Sequence, residues 1–210
     1  MERNNQKPWP HLEEEGISAK VCEAIRKIPR DKFVRDSLKH EAFGDYPLSI
    51  ECNQTISQPS LVAEMTDLLE LKEDDKVLEI GTGSGFQTVL LAQLVKEVHT
   101  IEYFPNLETN ARILFFKLGY HNIKTKIGDG KKGWWEKDLE EPEAPFPFLF
   151  DKIIITASAN ELPQELIKQL KVNGIMILPL KEVLYKVVKI DEDGTVEKYP
   201  QMGVRFVPLL

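Results

Sequence analysis

The sequence predicts an α/β fold with a doubly wound, mostly parallel sheet, helices on both faces and antiparallel strands near the C-terminus. From Lys76 onward, short apolar stretches of strand length alternate with segments whose apolar residues recur at helical spacing. Strands that alternate with helices form parallel sheets. A glycine-rich turn, residues 81–85, follows the first of these strands. Near the end of the chain, two apolar stretches flank the turn Asp193-Gly194, which is typical of an antiparallel pair.

The N-terminal third of the chain is predicted to be helical, with one long connection. A helix over residues 17–28 ends at Pro29, because proline cannot continue a helix. Residues 36–56 lack periodicity and form the connection, and a second helix covers residues 57–71. The predicted strands after it are 76–80, 98–102, 122–127, 150–156, 175–180, 183–190 and 204–209, and the predicted helices are 85–96, 105–118 and 163–171. Residues 131–149 are predicted to be a surface excursion.

Length, charge and cysteine content limit the function classes. A chain of 210 residues is expected to form a single domain. The net charge of −7 argues against a nucleic-acid partner, since binding to phosphates needs a basic face. No apolar run reaches the roughly 18 residues of a membrane span, and residues 1–16 lack a signal-peptide core, so we expect a cytoplasmic protein that does not act at a membrane. Cys22 and Cys52 are expected to be free thiols, and no spacing of cysteines and histidines indicates a metal site.

The turn after the first strand of the sheet predicts a small-molecule site, because glycine backbone puts no Cβ between main chain and ligand. The dinucleotide fingerprint requires a further glycine at the position that Phe86 occupies. The run acid-x-Gly-x-Gly-x-Gly over residues 79–85 instead resembles the first motif of class I methyltransferases, which bind S-adenosylmethionine. That resemblance implies the Rossmann-like fold of this superfamily. A glycine trio alone also fits a simple tight connection.

Acidic residues stand at or near the ends of the first three strands of the sheet. Glu102 ends the second strand, where a carboxylate can accept hydrogen bonds from both hydroxyls of a ribose. Asp129 follows the third strand and is predicted to accept a hydrogen bond from the adenine amine, with an Asp-Gly turn as an equally good interpretation. Glu79 is predicted to orient the charged amino-acid end of the cofactor. The predicted cofactor-binding residues are Glu79, Gly81, Thr82, Gly83, Ser84, Glu102, Tyr103, Gly128, Asp129 and Gly130.

Two competing motifs are incomplete in this sequence. Residues 128–133 have the glycine spacing of a phosphate-binding loop, but Trp134 stands where that loop requires lysine. Ser84 lacks the flanking glycines of a hydrolase nucleophile. The sequence therefore favours neither an NTPase nor an esterase.

A more specific resemblance begins at the run Gln54-Thr55-Ile56-Ser57-Gln58-Pro59. Together with the glycine motif, this run is similar to the protein-L-isoaspartate O-methyltransferase family. The other matching segments are 29–34, 128–134, 150–157, 170–179 and 204–209. The resemblance implies a repair enzyme that methylates the free α-carboxylate of isoaspartyl residues in damaged proteins and peptides. The ester then cyclises without the enzyme to a succinimide, part of which hydrolyses to aspartate.

The resemblance also implies roles for residues outside the glycine turn. Ser57 is the expected catalytic residue, and the expected acceptor-binding residues are Thr55, Ile56, Val204 and Phe206. Residues 1–75 then supply a helical and acceptor-loop region, and residues 76–210 the cofactor-binding sheet. Ser57 also suits the N-cap of the helix that follows, a contribution of about 1 kcal/mol, and the two roles are compatible.

Two segments depart from the family pattern. Glu51-Cys52-Asn53 stands where the family commonly has glycines, and Lys181-Glu182-Val183-Leu184 replaces a glycine and a downstream glutamine. These changes leave open a relative that methylates another carboxylate, in a small molecule or a modified peptide. A protein that binds S-adenosylmethionine without turnover is the alternative outside enzymes, although intact Ser57, Glu79 and Glu102 argue against it. The sequence leaves the oligomeric state open, with a monomer as one option.

Overall fold

The computed structural model describes residues 8–135 and 148–210, which form a two-stranded hairpin, a seven-stranded sheet and surrounding helices. The hairpin strands are β1 (Leu48–Ser49) and β2 (Thr55–Ile56). The sheet strands are β3 (Lys76–Ile80), β4 (Glu97–Glu102), β5 (Ile123–Ile127), β6 (Phe150–Ile155), β7 (Leu170–Leu180), β8 (Val183–Lys189) and β9 (Val196–Gly203). The α-helices are α1 (Ala19–Lys27), α2 (Pro59–Leu68), α3 (Phe86–Ala92), α4 (Pro105–Leu118) and α5 (Gln164–Gln169).

The strand order of the sheet is β5-β4-β3-β6-β7-β8-β9. The strands from β5 to β7 are parallel, and β8 and β9 are antiparallel to their neighbours. From β3 the chain first adds β4 and β5 on one side and then returns to place β6 on the other, so that Val77 pairs with both Val98 and Lys152. Ligands bind at the carboxyl ends of the strands where such a reversal occurs. The predicted fold class is confirmed.

Alternating residues of β3 divide the core between the two faces of the sheet, as the two-residue period of a strand requires. Val77 packs in one cluster with Met65 of α2 and Leu91 of α3. Ile80 belongs to the cluster on the other face, with Leu166 of α5. Because α1 packs on both α2 and α3, the N-terminal region lies on the α3 face, above the carboxyl end of β3.

The prediction of a last strand over residues 204–209 is wrong. The outermost strand is β9, and the segment after it forms an isolated bridge between Ser158 and Pro208. An edge strand needs no alternating apolar pattern, and nearly all of β9 is exposed. The apolar residues after Gly203 instead belong to an extended segment whose last five residues line a cleft at the carboxyl ends of β3 and β4.

The start of β7 and the excursion after β5 also differ from prediction. β7 begins at Leu170, so the expected stop at Asn173-Gly174 lies inside the strand, and α5 ends at Gln169. Most of the predicted surface excursion, residues 136–147, lies outside the described residues. In the described part, Trp134 is buried, with its ring centroid 4.5 Å from that of His99 on β4. Trp134 is therefore part of the core, while Lys131, Lys132 and Trp135 beside it are exposed as predicted.

Cys22 and Cys52 are free thiols. Within residues 8–135 and 148–210, no helix is long and apolar enough to cross a membrane. The same two ranges contain no cluster of three or more side chains suited to hold a metal ion.

Candidate active site

A solvent-open cleft lies at the carboxyl ends of β3 and β4. Its lining includes Thr55, Ile56, Ser57, Gly81, Thr82, Gly83, Ser84, Glu102, Tyr103, Gly130 and Phe206. These residues were predicted from separate motifs for the cofactor and for the acceptor. The fold brings both sets around a single cavity.

The glycine loop after β3 leaves no room for side chains at two of its positions. Gly81 has φ +96°, and a Cβ there would lie 2.4 Å from the Thr156 hydroxyl oxygen. Gly85 has φ +89°, and its Cβ would lie 2.5 Å from the Phe115 ring on α4. The loop thus passes tightly between the end of β6 and α4. Its bare backbone can approach a ligand closely, as the glycine spacing predicts.

Glu102 is fixed at the floor of the cleft. Its side chain is only 4% exposed, and its two oxygens accept hydrogen bonds from Gly83 N–H at 2.8 Å and from Phe104 N–H at 3.0 Å. A carboxylate has about four lone-pair sites, so each oxygen can still accept a hydroxyl. These two acceptor oxygens suit the two hydroxyls of a ribose, and the half-exposed Tyr103 ring stands beside them at the rim.

Glu79 lies behind the glycine loop and does not line the cleft. The Thr88 and Thr100 hydroxyls donate to its Oε2 at 2.5 and 2.7 Å, and the Thr82 and Thr100 hydroxyl oxygens are 2.7 Å apart. Burial and, to a smaller extent, the charge of Glu102 raise the pKa of Glu79 to about 8, against the opposing effect of the Thr88 and Thr100 hydrogen bonds. This carboxyl reaches the loop through threonine hydroxyls, and its role in orienting the amino-acid end of the cofactor stays a prediction.

Of the three residues predicted after β5, only Gly130 lines the cleft. A Cβ on Gly130 would lie 2.3 Å from Ile80 Cγ2, so this glycine is required by close packing. Asp129 Oδ1 accepts the Lys131 N–H at 3.0 Å, and the Gly128 N–H donates to the Glu102 carbonyl at 2.9 Å. The Asp-Gly turn is thus present, and the bond from Asp129 to adenine stays a prediction.

Ser57 stands between β2 and α2, and it is not the helix N-cap. Because Pro59 occupies the first helical position, Gln58 is the N-cap residue. The carboxylate of Asp45 accepts the Ser60 N–H at 2.9 Å and thereby satisfies the helix start. The capping prediction for Ser57 is wrong, and its hydroxyl has no hydrogen-bond partner within residues 8–135 and 148–210. That hydroxyl is available to a ligand in the cleft.

Arg30 is a buried residue that joins three backbone segments of this region, and the sequence analysis did not predict this role. Its guanidinium is fully buried and donates to the carbonyls of Ala42 at 2.6 Å, Tyr46 at 3.1 Å and Ser57 at 3.1 Å. Burial lowers its pKa to about 10, so the side chain stays charged at neutral pH. Arg30 belongs to a segment that matches the family pattern, but only the fold shows that it holds Ser57 in place.

A second groove adjoins the cleft and contains the remaining predicted residue, Val204. Both cavities are lined by Thr55, Ser57, Thr156, Phe206 and Val207. Thr156, together with Phe104 and the C-terminal residues 207–210, was not among the predicted site residues. The signal for Thr156 was its position at the carboxyl end of a strand. The family resemblance placed Val204 and Phe206 of the C-terminal segment at the acceptor site, and the structure adds residues 207–210 to the lining of the cleft.

The doubly wound sheet, the glycine loop and the buried carboxylate at the second strand end define the class as the Rossmann-like methyltransferase fold. The chain belongs to the protein-L-isoaspartate(D-aspartate) O-methyltransferase family, whose model matches residues 3–210. It is 45% identical over 198 residues to the protein-L-isoaspartate O-methyltransferase of Ignicoccus hospitalis, covering 90% of this chain and 88% of that one. It is 46% identical over 202 residues to protein-L-isoaspartate O-methyltransferase 2 of Archaeoglobus fulgidus, with coverages of 94% and 88%.

A solved structure confirms the fold over the full length. It is that of a Plasmodium falciparum protein assigned as a protein-L-isoaspartate O-methyltransferase, in complex with S-adenosyl-L-homocysteine. The TM-score is 0.80 at 26% identity, and the match covers 100% of this chain and 99% of that chain.

Proposed function

We propose that this protein transfers the methyl group of S-adenosylmethionine to the free α-carboxylate of L-isoaspartyl residues in damaged proteins and peptides. The observation that carries the proposal is the junction of the two cavities at Ser57. The glycine loop and Glu102 line the cleft on one side of this junction, and the groove along α2 opens on the other. Membership of the family supports the same activity.

The cleft residues fit an adenosyl cofactor. Glu102 would accept the ribose hydroxyls, and the apolar side chains of Ile80, Ile101 and Phe104 would cover the nucleoside. S-adenosylmethionine supplies, when bound, a methyl group on a positively charged sulfur that leaves as a neutral thioether. We propose that Thr82, Ser84 and Tyr103 complete this half of the site, with Glu79 acting through Thr100 and Thr82.

The acceptor half of the site has to position a nucleophile rather than to create one. An α-carboxyl has a pKa of about 3.5, so the acceptor is ionised at neutral pH and needs no general base. The Ser57 hydroxyl donates to one carboxylate oxygen and leaves the other free to attack, with Thr55 beside it. Phe206 and Val207 exclude water from the junction. Orientation and desolvation of this kind can supply most of the rate of a transfer reaction.

The departures from the family pattern do not favour a different acceptor. Cys52, Asn53 and Lys181 have φ angles of 58°, 56° and 58°, the left-handed region that glycine adopts most easily. The backbone of the acceptor region therefore keeps the shape that glycines would give it. The unpaired Cys22 and Cys52 suit a reducing compartment. We accordingly propose a cytoplasmic enzyme that acts on proteins and peptides rather than on nucleic acid.

Incubation with methyl-labelled S-adenosylmethionine and an isoaspartyl peptide tests the proposal. Labelled methanol should be released from the isoaspartyl peptide as its ester cyclises, and none from the matched aspartyl peptide. Ser57→Ala should lower kcat/KM by about tenfold to hundredfold, the usual loss for a hydrogen bond to a charged group. Ser57→Asp should abolish transfer, because it places a negative charge beside the incoming carboxylate.

Both Ser57 variants should melt within about 2 °C of the wild type, since the Ser57 hydroxyl bonds no described residue and a change below 0.5 kcal/mol is expected. The exposed Ser37 supplies the matched control, and Ser37→Asp should keep full activity. Equal methylation of the isoaspartyl and aspartyl peptides would refute the proposed function. Full activity of Ser57→Asp would remove Ser57 from the site.

A further inference from the structure

The groove that adjoins the cleft at Ser57, here called the acceptor groove, runs along one face of α2. The helix residues that line it recur at helical spacing: Ser60, Leu61, Glu64, Asp67 and Leu68. Residues 15–17 and residues 202–207 form its other walls. Because the groove begins at the residue that would receive the isoaspartyl carboxylate, it is where the flanking residues of an acceptor polypeptide have to lie.

The acceptor groove carries unpaired negative charge. Glu64 on α2 is half-buried and Glu15 faces the same groove, and neither forms an ion pair with any residue in 8–135 or 148–210. Burial and the charge of Glu15 raise the pKa of Glu64. Asp67 differs, because it accepts hydrogen bonds from the backbone N–H and the hydroxyl of Ser18. Arg205, on the opposite wall, is the one cation among the described lining residues.

The position of Glu64 on α2 determines which residue of a bound acceptor polypeptide can contact it. Glu64 is the fifth residue after Pro59, the first residue of α2, and a helix rises about 1.5 Å per residue, so Glu64 lies about 8 Å from the start of the helix. An extended polypeptide rises about 3.3 Å per residue. A side chain two or three residues from the isoaspartyl residue therefore reaches Glu64. The apolar side chains of Leu61 and Leu68 can cover the aliphatic stem of a long cation.

We propose that the acceptor groove selects isoaspartyl sites that have a lysine or arginine two or three residues away, with Glu64 and Glu15 as the specificity-determining residues. A cation there would pair with two carboxylates that otherwise face each other without a partner. This inference rests on the proposed function of the cleft, and it names a preference among isoaspartyl acceptors.

Three isoaspartyl peptides that differ at one position test the preference. One such set of three, with lysine, glutamine or glutamate at the varied position, is made for each position two or three residues before or after the isoaspartyl residue. The best-placed lysine peptide should have a kcat/KM about threefold to tenfold above the glutamine peptide, mainly through KM, as partly buried charge pairs allow. The glutamate peptide should be the poorest. The differences should shrink as salt rises from about 0.05 to 0.5 M, because salt screens such pairs.

The double variant Glu15→Gln, Glu64→Gln should bring the ratio between lysine and glutamine peptides close to one. Glu73→Gln is the matched control, since this exposed carboxylate lies just before β3, at the opposite edge of the sheet, and the variant should keep the ratio. Equal kcat/KM for the three peptides, a full lysine preference in the double variant, or a preference for the glutamate peptide through Arg205 would each overturn the inference. If no isoaspartyl peptide of any charge were methylated, the proposed function itself would fail.

Discussion

At the scale of single residues, the backbone is strained at positions where the family commonly has glycine. Cys52 and Lys181 have φ angles of 58°, a conformation that brings Cβ against the following carbonyl and costs roughly 1–2 kcal/mol for an ordinary residue. The neighbouring hydrogen bonds explain why it persists at Lys181. The Lys181 N–H donates to the Ala159 carbonyl at 2.8 Å, and the Ser158 hydroxyl donates to the Lys181 carbonyl at 2.6 Å.

Lys181→Gly should therefore stabilise the protein by about 0.5–1 kcal/mol, because the relief of strain exceeds the greater freedom of glycine in the unfolded chain. Urea denaturation measures the change. Lys198→Gly is the control, since this exposed lysine lies in β9 and has an ordinary extended backbone. The control should lose stability, and the account of strain would be wrong if Lys181→Gly lost as much.

At the scale of elements, the acceptor region is assembled by two charged side chains that join separate segments. Arg30 binds the carbonyls of residues 42–46 and of Ser57. Asp45 accepts from Ser60 N–H and Gln58 Nε2, and it pairs with His11 at 3.1 Å. Burial alone would raise the pKa of Asp45, but the hydrogen bonds from Ser60 and Gln58 hold it below its usual value. These hydrogen bonds position the start of α2 and involve neither the glycine loop nor Glu102.

Arg30→Lys should separate acceptor binding from cofactor binding. A single ammonium cannot span the carbonyls of Ala42, Tyr46 and Ser57, so we expect the KM for an isoaspartyl peptide to rise about tenfold, the effect of roughly 1.4 kcal/mol. The calorimetric Kd for S-adenosylhomocysteine should change less than about twofold, below 0.5 kcal/mol. Arg112→Lys, which changes an exposed side chain paired with Glu108 on α4, should leave both constants unchanged. A parallel rise in both constants for Arg30→Lys would show that Arg30 only stabilises the fold.

At the scale of the whole molecule, Glu79 makes stability depend on pH near neutrality. Its pKa is about 8 in the folded protein against an ordinary value of 4.5. Between these values the unfolded chain releases the proton while the folded protein keeps it. The stability contributed by neutral Glu79 is therefore full below pH 4.5 and is lost as pH rises through about 8. Burial lowers the pKa of His99, so His99 has the opposite effect below about pH 6.5.

Glu79→Gln should flatten the decline in the free energy of unfolding on the alkaline side. One pKa unit corresponds to about 1.4 kcal/mol, so the wild type should lose several kcal/mol relative to the variant between pH 5 and about pH 8. The contribution of His99 is common to both proteins and cancels in the difference. Urea denaturation at several pH values measures this difference in the free energy of unfolding. Glu73→Gln is the control, and its pH dependence should follow that of the wild type. Parallel curves for Glu79→Gln and wild type would mean that Glu79 is ionised in the folded protein.

The sequence by itself determined the parts of this protein that depend on local pattern. Periodicity located the parallel strands, and glycine spacing located a loop whose positive φ angles and close contacts the fold then requires. Local pattern also identified Glu102, because the sequence places it at the end of a parallel strand and such residues lie at the edge of the sheet where ligands bind.

Only the tertiary structure decided which distant groups meet. Residues 204–209 have a strand-like pattern but line a cleft, because apolar alternation does not specify what covers the apolar side. Asp45 satisfies the start of α2 from 15 residues away, and Arg30 holds Ser57 from 27 residues away. The burial that keeps Glu79 neutral comes from the packing of α3 against β3 and β4. Burial and long-range hydrogen bonds depend on how elements pack, and no local stretch of sequence contains that information.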